Sequence, residues 1–307
     1  MARTLIAKIA VMISLMFVFN TVLIAATYPL PNDHHRKFGH LQLKVVGTQA
    51  LTGIMKRYDV GYRELKAANP QVDLQNLQLG QKLLIPTLKL LPDVKHRGVV
   101  VNLASMRLYY FPDNQASFET YPVGIGKRGQ KTPLGHTRII AKDKNPQWRP
   151  TAHVRHNFLK ENGYPLPPVV MPGPDNPLGN YKMRLTMQSY LIHGTNRPDE
   201  IGTRASAGCI HLFNRDIGKL YPEIRLNTHV NIIYKPFITS WEDNVLYLEA
   251  YKPIAKSYKT PDYHQVIKQA LHQKHQSIDV DWDKIKQVIH QGSGIPVPVA
   301  YIEDVGS

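Results

Sequence analysis

The spacing of apolar and polar residues changes along the chain and divides it into three parts. In the first part, apolar residues recur at helical intervals and predict helices at 52–58 and 61–68, between strands near 41–46 and 83–86. From Gly98 the period becomes two, which predicts strands at 98–103, 107–111, 116–124, 136–141, 183–187, 189–193 and 229–234. Beyond Lys235 the pattern predicts one more strand at 245–250 and amphipathic helices at 263–271 and 282–289, the second capped by Asp281.

Many short strands with few helices are typical of a β-sandwich or an open barrel. The predicted fold class is therefore mainly β with α+β appendages: a small βααβ module, a β-sandwich or open-barrel domain, and a C-terminal helical segment. One helix is predicted inside the β-rich part, at 214–221 with Asn214 as its N-cap.

A long loop at 162–180 contains six prolines and three glycines. Loops of this length are usually functional or disordered. Because proline fixes φ, the composition favours a preshaped substrate-binding wall over a solvated crossover.

The first 26 residues have the pattern of a secretory signal peptide. Arg3 and Lys8 precede an apolar run at 9–19, and the small residues Ala25 and Ala26 offer a cleavage site. The alternative is an uncleaved anchor, but the run is short for a membrane span and no charged cluster follows it. We therefore expect an exported protein with no obligatory membrane insertion after cleavage, and a linker at 27–40.

The chain is basic, with 38 Lys and Arg against 23 Asp and Glu and a formal net charge of +15. A basic surface favours polyanions. For an exported protein these are anionic lipids and cell-wall carboxylates, so no nucleic acid partner is expected. One cysteine excludes an intrachain disulfide, and the scattered histidines predict no metal site and no cofactor.

That single cysteine, Cys209, follows Gly208 in a turn of small residues. A lone cysteine is more often a small buried hydrophobe than a catalyst. As a nucleophile it would need help, because a thiol with a pKa of about 8.5 is little ionised at neutral pH. Candidates for the base or cation are His193, Arg204 and His211. The N–H groups of Ala207, Gly208 and Cys209 could bind the oxygen of an attacked carbonyl.

The pattern His193-Gly-Thr-Asn, a gap, and then Ser206-Ala-Gly-Cys-Ile resembles the active-site signature of the L,D-transpeptidases, the YkuD-domain family. Further segments resemble the ErfK/YbiS/YcfS/YnhG branch of Gram-negative envelopes; they begin at Tyr121, Thr132, Trp148 and Pro165. The resemblance implies that Cys209 is the acyl-accepting nucleophile and that His193 accepts and donates the proton.

The sequence also predicts roles for the residues around His193 and Cys209. The oxyanion turn would comprise Ser206, Ala207 and Gly208, and the substrate contacts would be Gly194, Thr195, Arg204 and His211. Two positions depart from the pattern: many relatives have His or Ser at position 207, and the branch usually has Arg at position 211. If His211 holds a substrate carboxylate, its grip depends on pH; the alternative is that it only supports the turn.

The first part of the chain resembles a LysM domain. Its marks are Ala68-Asn-Pro, Leu79-Gly-Gln-Lys and Ile85-Pro. The resemblance implies binding to the N-acetylglucosamine-containing glycan of peptidoglycan, and the alternative is a spacer that has lost binding.

Together these patterns predict a signal peptide (1–26), a linker (27–40), a LysM-like module (41–87), a catalytic domain (97–234) and a C-terminal appendage (235–307). The resemblance implies a periplasmic enzyme that forms a thioester with the third residue of a peptidoglycan tetrapeptide stem and releases D-Ala. An amine of an envelope lipoprotein lysine or of another stem would take the acyl group. The alternatives are a cysteine peptidoglycan hydrolase or amidase and a non-catalytic wall-binding protein.

Overall fold

The computed structural model describes residues 27–31, 35–47, 50–113 and 116–303. The predicted signal peptide at 1–26 lies outside the described residues. Within the described ranges, no helix has the length and apolar character needed to cross a membrane.

The N-terminal module has the predicted strand–helix–helix–strand order. The elements up to its end are β1 (Thr27–Pro29), β2 (Lys37–Phe38), β3 (Leu41–Val45), α1 (Leu51–Tyr58), α2 (Tyr62–Ala68), β4 (Lys82–Pro86) and β5 (Lys89–Leu90). β3 and β4 pair antiparallel, and both helices bury apolar residues against them. The amide of Asn69 donates to the carbonyls of Leu65 and Leu84 at 2.8 Å each, so it ties the end of α2 to β4.

The β-rich part forms a nine-stranded sheet that curls into a half-barrel. Its elements are β6 (Gly98–Asn102), β7 (Arg107–Phe111), β8 (Ser117–Pro122), β9 (Ile125–Gly126), β10 (Gly135–Lys144), α3 (Ala152–Asn162), β11 (Tyr181–Leu185), β12 (Leu191–His193), a short 3-10 helix (Pro198–Glu200), β13 (Arg204–Ser206), β14 (Ile210–His211), α4 (Asn214–Glu223) and β15 (His229–Ile233). The strand order is β1-β8-β7-β6-β15-β10-β11-β12-β14. The parallel pair β12–β14 places His193 and His211 side by side. The predicted fold class is confirmed.

The segment 27–40 is not the free linker that the sequence predicted. β1 pairs with β8 at the edge of the nine-stranded sheet, and β2 pairs with β5 in a separate two-stranded sheet. The aromatic rings explain this, because Phe38 packs edge-on against Phe118 at 5.0 Å and against Tyr28 at 4.8 Å between ring centroids. Burial of these rings stabilises the ordered segment, although it also contains prolines and charged residues.

Two helical details differ from the prediction. α3 was not predicted, because it has no buried residue and therefore no apolar stripe; it begins at the cap Thr151, whose side chain accepts from the N–H of Val154. Asn214 is the first residue of α4 rather than its N-cap, a position that Phe213 occupies. The Asn214 side chain instead accepts from the N–H of Asn180 and donates to the carbonyl of Thr195.

The C-terminal part contains the two predicted helices and more strands than predicted. Its elements are β16 (Phe237–Glu242), β17 (Val245–Ala250), α5 (Tyr263–Leu271), β18 (Ile278–Val280), α6 (Trp282–Gln291) and β19 (Val297–Ile302). The strands form an antiparallel sheet in the order β16-β17-β19-β18, which the helices cover. The Asp281 side chain accepts from the N–H of Lys284 at 2.7 Å, so the predicted cap is confirmed.

The N-terminal module packs directly on the central sheet domain. The first N–H groups of α2 donate to loop carbonyls of that domain, from Tyr62 to Ile201 at 3.0 Å and from Arg63 to Gly202 at 3.2 Å. Ile201 and Phe213 complete the apolar core of the module. The chains approach closely at Gly61, where an added Cβ would lie 2.9 Å from the Cα of Gly202.

A buried ion cluster joins the same two parts and reaches the third. Arg107 of β7 donates to both carboxylate oxygens of Glu64 on α2, at 3.0 and 3.1 Å. Lys89 lies 3.6 Å from Glu64 and donates to the carbonyl of Gly294 in the C-terminal part at 2.8 Å. Burial alone would raise the pKa of Glu64, but Arg107 and Lys89 outweigh it and the pKa lies below its ordinary value.

The close contact predicts that Gly61→Ala destabilises the packing of the module. Gly61 has a φ of −86°, which alanine adopts freely, so the cost is steric and we expect a loss of about 1–3 kcal/mol in unfolding free energy. Gly47→Ala is the matched control, because its Cβ meets nothing within 4 Å. Denaturant unfolding of both variants measures the difference. Equal stability would show that the contact between Gly61 and Gly202 does not limit how closely the module packs on the central domain.

Candidate active site

The site is a cavity of about 910 Å³ where β12 and β14 end. Six of the residues singled out from the sequence line it: His193, Thr195, Ser206, Ala207, Cys209 and His211. The hydroxyl of Thr195 accepts from the N–H of Arg197 at 2.9 Å, which fixes the bend after His193. Gly194 and Arg204 do not line the cavity.

Hydroxyl groups hold the turn that carries Cys209. Ser206 Oγ accepts from the N–H of Gly208 at 3.1 Å and donates to the carbonyl of Cys209 at 2.6 Å, and Thr132 Oγ1 donates to the carbonyl of Gly208 at 2.8 Å. Gly208 has a φ of 109°, in the left-handed region that favours glycine. A Cβ there would also lie 2.8 Å from the ring of Tyr190. Both the backbone conformation and the lack of space therefore favour glycine at this position.

The backbone donors of this turn differ in their availability. The N–H of Gly208 already donates to Ser206, which corrects the prediction that it binds an oxyanion. Within the described ranges, the N–H groups of Ala207 and Cys209 have no hydrogen-bond acceptor. These two are therefore the donors that a carbonyl oxygen could use.

The Cys209 thiol is partly open to the cavity. Its Sγ lies 3.8 Å from the carbonyl oxygen of Ser189, to which it can donate. Burial by the surrounding protein raises the pKa of the thiol to about 11, although a backbone hydrogen bond from Leu191 lowers it. In the absence of substrate, the group is therefore a thiol and not a thiolate.

His193 is buried and held in one tautomer. Its Nδ1 lies 2.5 Å from the carbonyl oxygen of Gly194, which can only accept, so Nδ1 carries the proton and Nε2 is left as an acceptor. Burial lowers the pKa of the imidazole to about 4, against the opposing effect of the Gly194 carbonyl. The cavity thus holds a neutral thiol and a neutral base.

Gly194 positions His193 and does not contact the cavity. Its carbonyl accepts from the imidazole, and a Cβ on Gly194 would lie 2.1 Å from the side-chain oxygen of Asn214. Asn214 thus fills the space beside Gly194, and the substrate contact at Gly194 stays a prediction.

Arg204, also predicted to contact substrate, lies against backbone carbonyls and does not line the catalytic cavity, so the contact stays a prediction. Its guanidinium donates to the carbonyls of Gly126 at 3.2 Å and Ile254 at 2.7 Å, and it lines a different cavity. Ala205 and Ser206 line the catalytic cavity instead. Arg204 therefore cannot serve as the cation that activates Cys209.

His211 forms part of the wall, edge-on to His193 with ring centroids 5.8 Å apart. Its Nδ1 lies 3.9 Å from the Glu200 carboxylate, and its Nε2 faces Gly124 without a hydrogen-bond partner in the described part of the chain. Burial, with smaller contributions from the neighbouring His193 and Arg197, lowers the pKa of His211 to about 3. An uncharged ring beside a carboxylate does not favour the predicted contact with a substrate carboxylate.

A cap over the cavity supplies lining residues that the sequence reasoning missed. Those from the segment that leads into α3 and from its first turn are Trp148, Arg149, Thr151, His153 and Val154. The predicted wall at 162–180 contributes Pro177 and Leu178. An isolated β-bridge between Trp148 and Val170 joins the two segments of the cap, and their N–H groups donate to each other's carbonyls at 2.9 and 2.8 Å.

Asn176 holds this cap together from inside. It is fully buried, and its amide nitrogen donates to the carbonyls of Pro146, Val170 and Met171 at 2.8, 3.3 and 3.2 Å. Its oxygen accepts from the N–H of Leu178 at 2.9 Å. The sequence signal that could have found the cap is Trp148, an isolated large apolar residue in a polar stretch.

Comparisons with known proteins support both resemblances. The family model of the L,D-transpeptidase catalytic domain, YkuD, matches residues 96–232, and the LysM domain model matches residues 50–86. The probable L,D-transpeptidase YcfS of Escherichia coli is 39% identical over 286 residues, covering 90% of this chain and 88% of that protein. The probable L,D-transpeptidase ErfK/SrfK of Salmonella typhimurium is 36% identical over 294 residues, covering 90% and 92%. The probable L,D-transpeptidase YbiS of Escherichia coli is 36% identical over 282 residues, covering 89% and 92%.

These matches extend over nearly the whole length of each relative and include the segment that carries His193 and Cys209. The two resemblances are confirmed, and the chain belongs to the L,D-transpeptidase family of enzymes.

Proposed function

We propose that this enzyme acylates Cys209 with the third-residue carbonyl of a peptidoglycan tetrapeptide stem and transfers the acyl group to an amine. The observation that carries the proposal is the pair in the cavity: a thiol at Cys209, and His193 with Nε2 free to accept a proton. This pair needs no metal or nucleotide for acyl transfer.

The reaction follows from the two neutral groups. His193 Nε2 takes the thiol proton as Sγ bonds to the carbonyl carbon, and the N–H groups of Ala207 and Cys209 donate to the resulting oxyanion. The C–N bond to D-Ala then breaks, and its nitrogen receives the proton from His193. An amine then attacks the thioester carbonyl, and His193 accepts the amine proton. The C–S bond breaks as the new C–N bond forms, and His193 returns its proton to the sulfur of Cys209.

The charges of the cavity wall suit a peptide that carries carboxylates. The basic side chains along it are Lys144, Arg149, Lys182 and Arg197, against the acidic Asp143 and Glu200. Trp148 and Leu178 add apolar surface for the stem's methyl groups. The acceptor follows only from the family resemblance: a lysine of an envelope lipoprotein or the amine of another stem.

The organisation of the chain supports a periplasmic role. We propose a signal peptide at 1–26, a glycan-binding LysM module at 41–87, a catalytic domain at 97–234 and a C-terminal part from 235 that packs against the catalytic domain. A cysteine hydrolase with water as acceptor would use the same residues. Product analysis with and without an added amine separates the two, because only a transferase incorporates the amine.

Cys209→Ala should abolish acyl transfer while the protein stays folded, because only the sulfur can form the thioester. The measurement is mass spectrometry of muropeptide products after incubation of a tetrapeptide substrate with each protein, together with circular dichroism of both. A carbapenem, which acylates members of this family through the cysteine, should add one adduct to the wild type and none to the variant. Undiminished turnover by the variant would refute the assignment.

The low pKa of His193 predicts an acid-tolerant enzyme. A base with a pKa of about 4 in the free enzyme keeps about 97% of its neutral form at pH 5.5. A histidine with an unperturbed pKa of about 6.5 would keep only about 9% at that pH. We therefore expect kcat/KM at pH 5.5 to equal the value at pH 7. A roughly tenfold fall between these values, with unchanged circular dichroism, would contradict a buried neutral base.

Asn176→Asp should loosen the cap without touching the reacting groups. The aspartate lacks the N–H donors of the asparagine, so the carbonyls of Pro146 and Met171 lose this partner, the carbonyl of Val170 keeps only the N–H of Trp148, and the cap shifts. We expect kcat/KM for the donor peptide to fall by about ten- to a hundredfold, as misplacement of a substrate wall does elsewhere. Asn162→Asp is the control, since this exposed asparagine makes one such bond, to Phe158. Equal kinetics of the two variants would show that the cap does not position the donor.

A further inference from the structure

A second cavity, of about 940 Å³, lies where the three parts of the protein meet. Its walls come from α2 of the N-terminal module, from the loop 202–204 that starts β13, and from the segment 290–297 between α6 and β19. It shares no lining residue with the catalytic cavity. It is therefore a separate site.

Basic side chains surround this cavity, and no acidic side chain lines it in the described ranges. They are Arg63, Lys66, Arg204 and Lys252, with His290 at the edge. No aspartate or glutamate is among the described lining residues, and in the described ranges none of the four arginines and lysines forms an ion pair with a carboxylate. Lys66 donates to the carbonyls of Pro70 and Val72 and lies near the carboxylate of Asp73. Arg63, Arg204 and Lys252 thus line the cavity with no ion-paired carboxylate among the described residues.

The backbone organises two of these charges. Arg63 donates to the carbonyl of Lys252 at 2.5 Å, and Arg204 donates to the carbonyls of Gly126 and Ile254. These bonds hold two half-buried guanidinium groups near each other. Burial lowers the pKa of Arg63, and the nearby charge of Arg204 lowers it further. An anion placed between them would relieve this repulsion.

The rest of the wall combines the polar residues Thr203, Gln291 and Ser293 with apolar surface. The residues that contribute the apolar surface are Tyr62, Ala67, Ala68, Pro70, Met106, Ile295 and Val297. A small inorganic anion would leave this surface in contact with water, and an uncharged apolar molecule would desolvate the guanidinium groups without pairing them. A molecule with both an anionic group and an apolar body satisfies both kinds of wall.

We propose that the cavity between α2, the start of β13 and the 290–297 segment binds an amphiphilic anion. Its carboxylate or phosphate head pairs with Arg63 and Arg204, and its apolar chain lies along Met106, Ile295 and Val297. The site is independent of the acyl-transfer reaction, so it stands whether or not the proposed function does.

The test on the unmodified protein is isothermal titration with four probes. Dodecanoate and dodecyl phosphate, each below its critical micelle concentration, should bind with one site per chain, and the stronger of the two identifies the head group. Dodecanol and inorganic phosphate should bind at least about tenfold more weakly, because each lacks one half of the recognised chemistry. Equal affinity for dodecanol or for inorganic phosphate, or no binding of either amphiphile, would overturn the proposal.

Two further measurements place the ligand. Arg63→Gln and Lys252→Gln should weaken dodecanoate binding, by about tenfold for Arg63→Gln. Lys256→Gln, an exposed lysine that does not line this cavity, should leave binding unchanged. Protein alkylated at Cys209 should bind dodecanoate as well as the unmodified protein does. Unchanged affinity in a folded Arg63→Gln protein, or loss of binding on alkylation, would locate the amphiphile elsewhere and refute the assignment; if Arg63→Gln does not fold, the four-probe comparison decides.

Discussion

The pairing of Glu64 with Arg107 is the constraint on which the arrangement of the protein depends. Both side chains are buried where the N-terminal module meets the central sheet, so each relies on the other for its counter-charge. Breaking a buried pair by removing one partner typically costs about 3–5 kcal/mol, since the remaining charge has lost both water and counter-charge. Lys89 extends the pairing to the C-terminal part through its bond to Gly294. The ion pair thus sets the orientation of the module on the sheet. The close approach of Gly61 to Gly202 and the apolar contacts of Phe213 add packing in that orientation.

The same physics, burial of ionisable groups, sets the chemistry of the active site with the opposite outcome. Cys209 and His193 are enclosed without a counter-ion, so both are neutral before substrate arrives. The proton therefore passes from Cys209 to His193 only as the sulfur attacks a carbonyl, when the negative charge forms on the carbonyl oxygen. A protonated thiol also reacts slowly with oxidants and disulfides.

Local patterns predicted the elements well and the directions of side chains poorly. Apolar residues such as Ile54 and Leu65 indicated α1 and α2, because a helix that buries one face has apolar residues at helical spacing. α3 has no buried residue and therefore no such spacing in its sequence. β19 was missed because Pro298 interrupts its pattern, although the strand occupies a central place in its sheet. In the motif, proximity to Cys209 suggested that Arg204 contacts substrate. Alternation along β13 turns its side chain to another cavity, and no sequence spacing reveals which face of a short strand is which.

The docking of α2 on the loop at Ile201 and Gly202 has a consequence for how the enzyme would find its substrate. A LysM domain on a flexible tether raises the local concentration of every stem within reach, in proportion to the volume that the tether sweeps. Here the backbone bonds from Tyr62 and Arg63 remove that freedom. If the module binds glycan, the distance and angle from the bound sugar to Cys209 are constant. The enzyme would then reach only stems at a fixed distance from that sugar. It would then choose stems by their position along the strand, and stems that point another way would be passed over however close they lie.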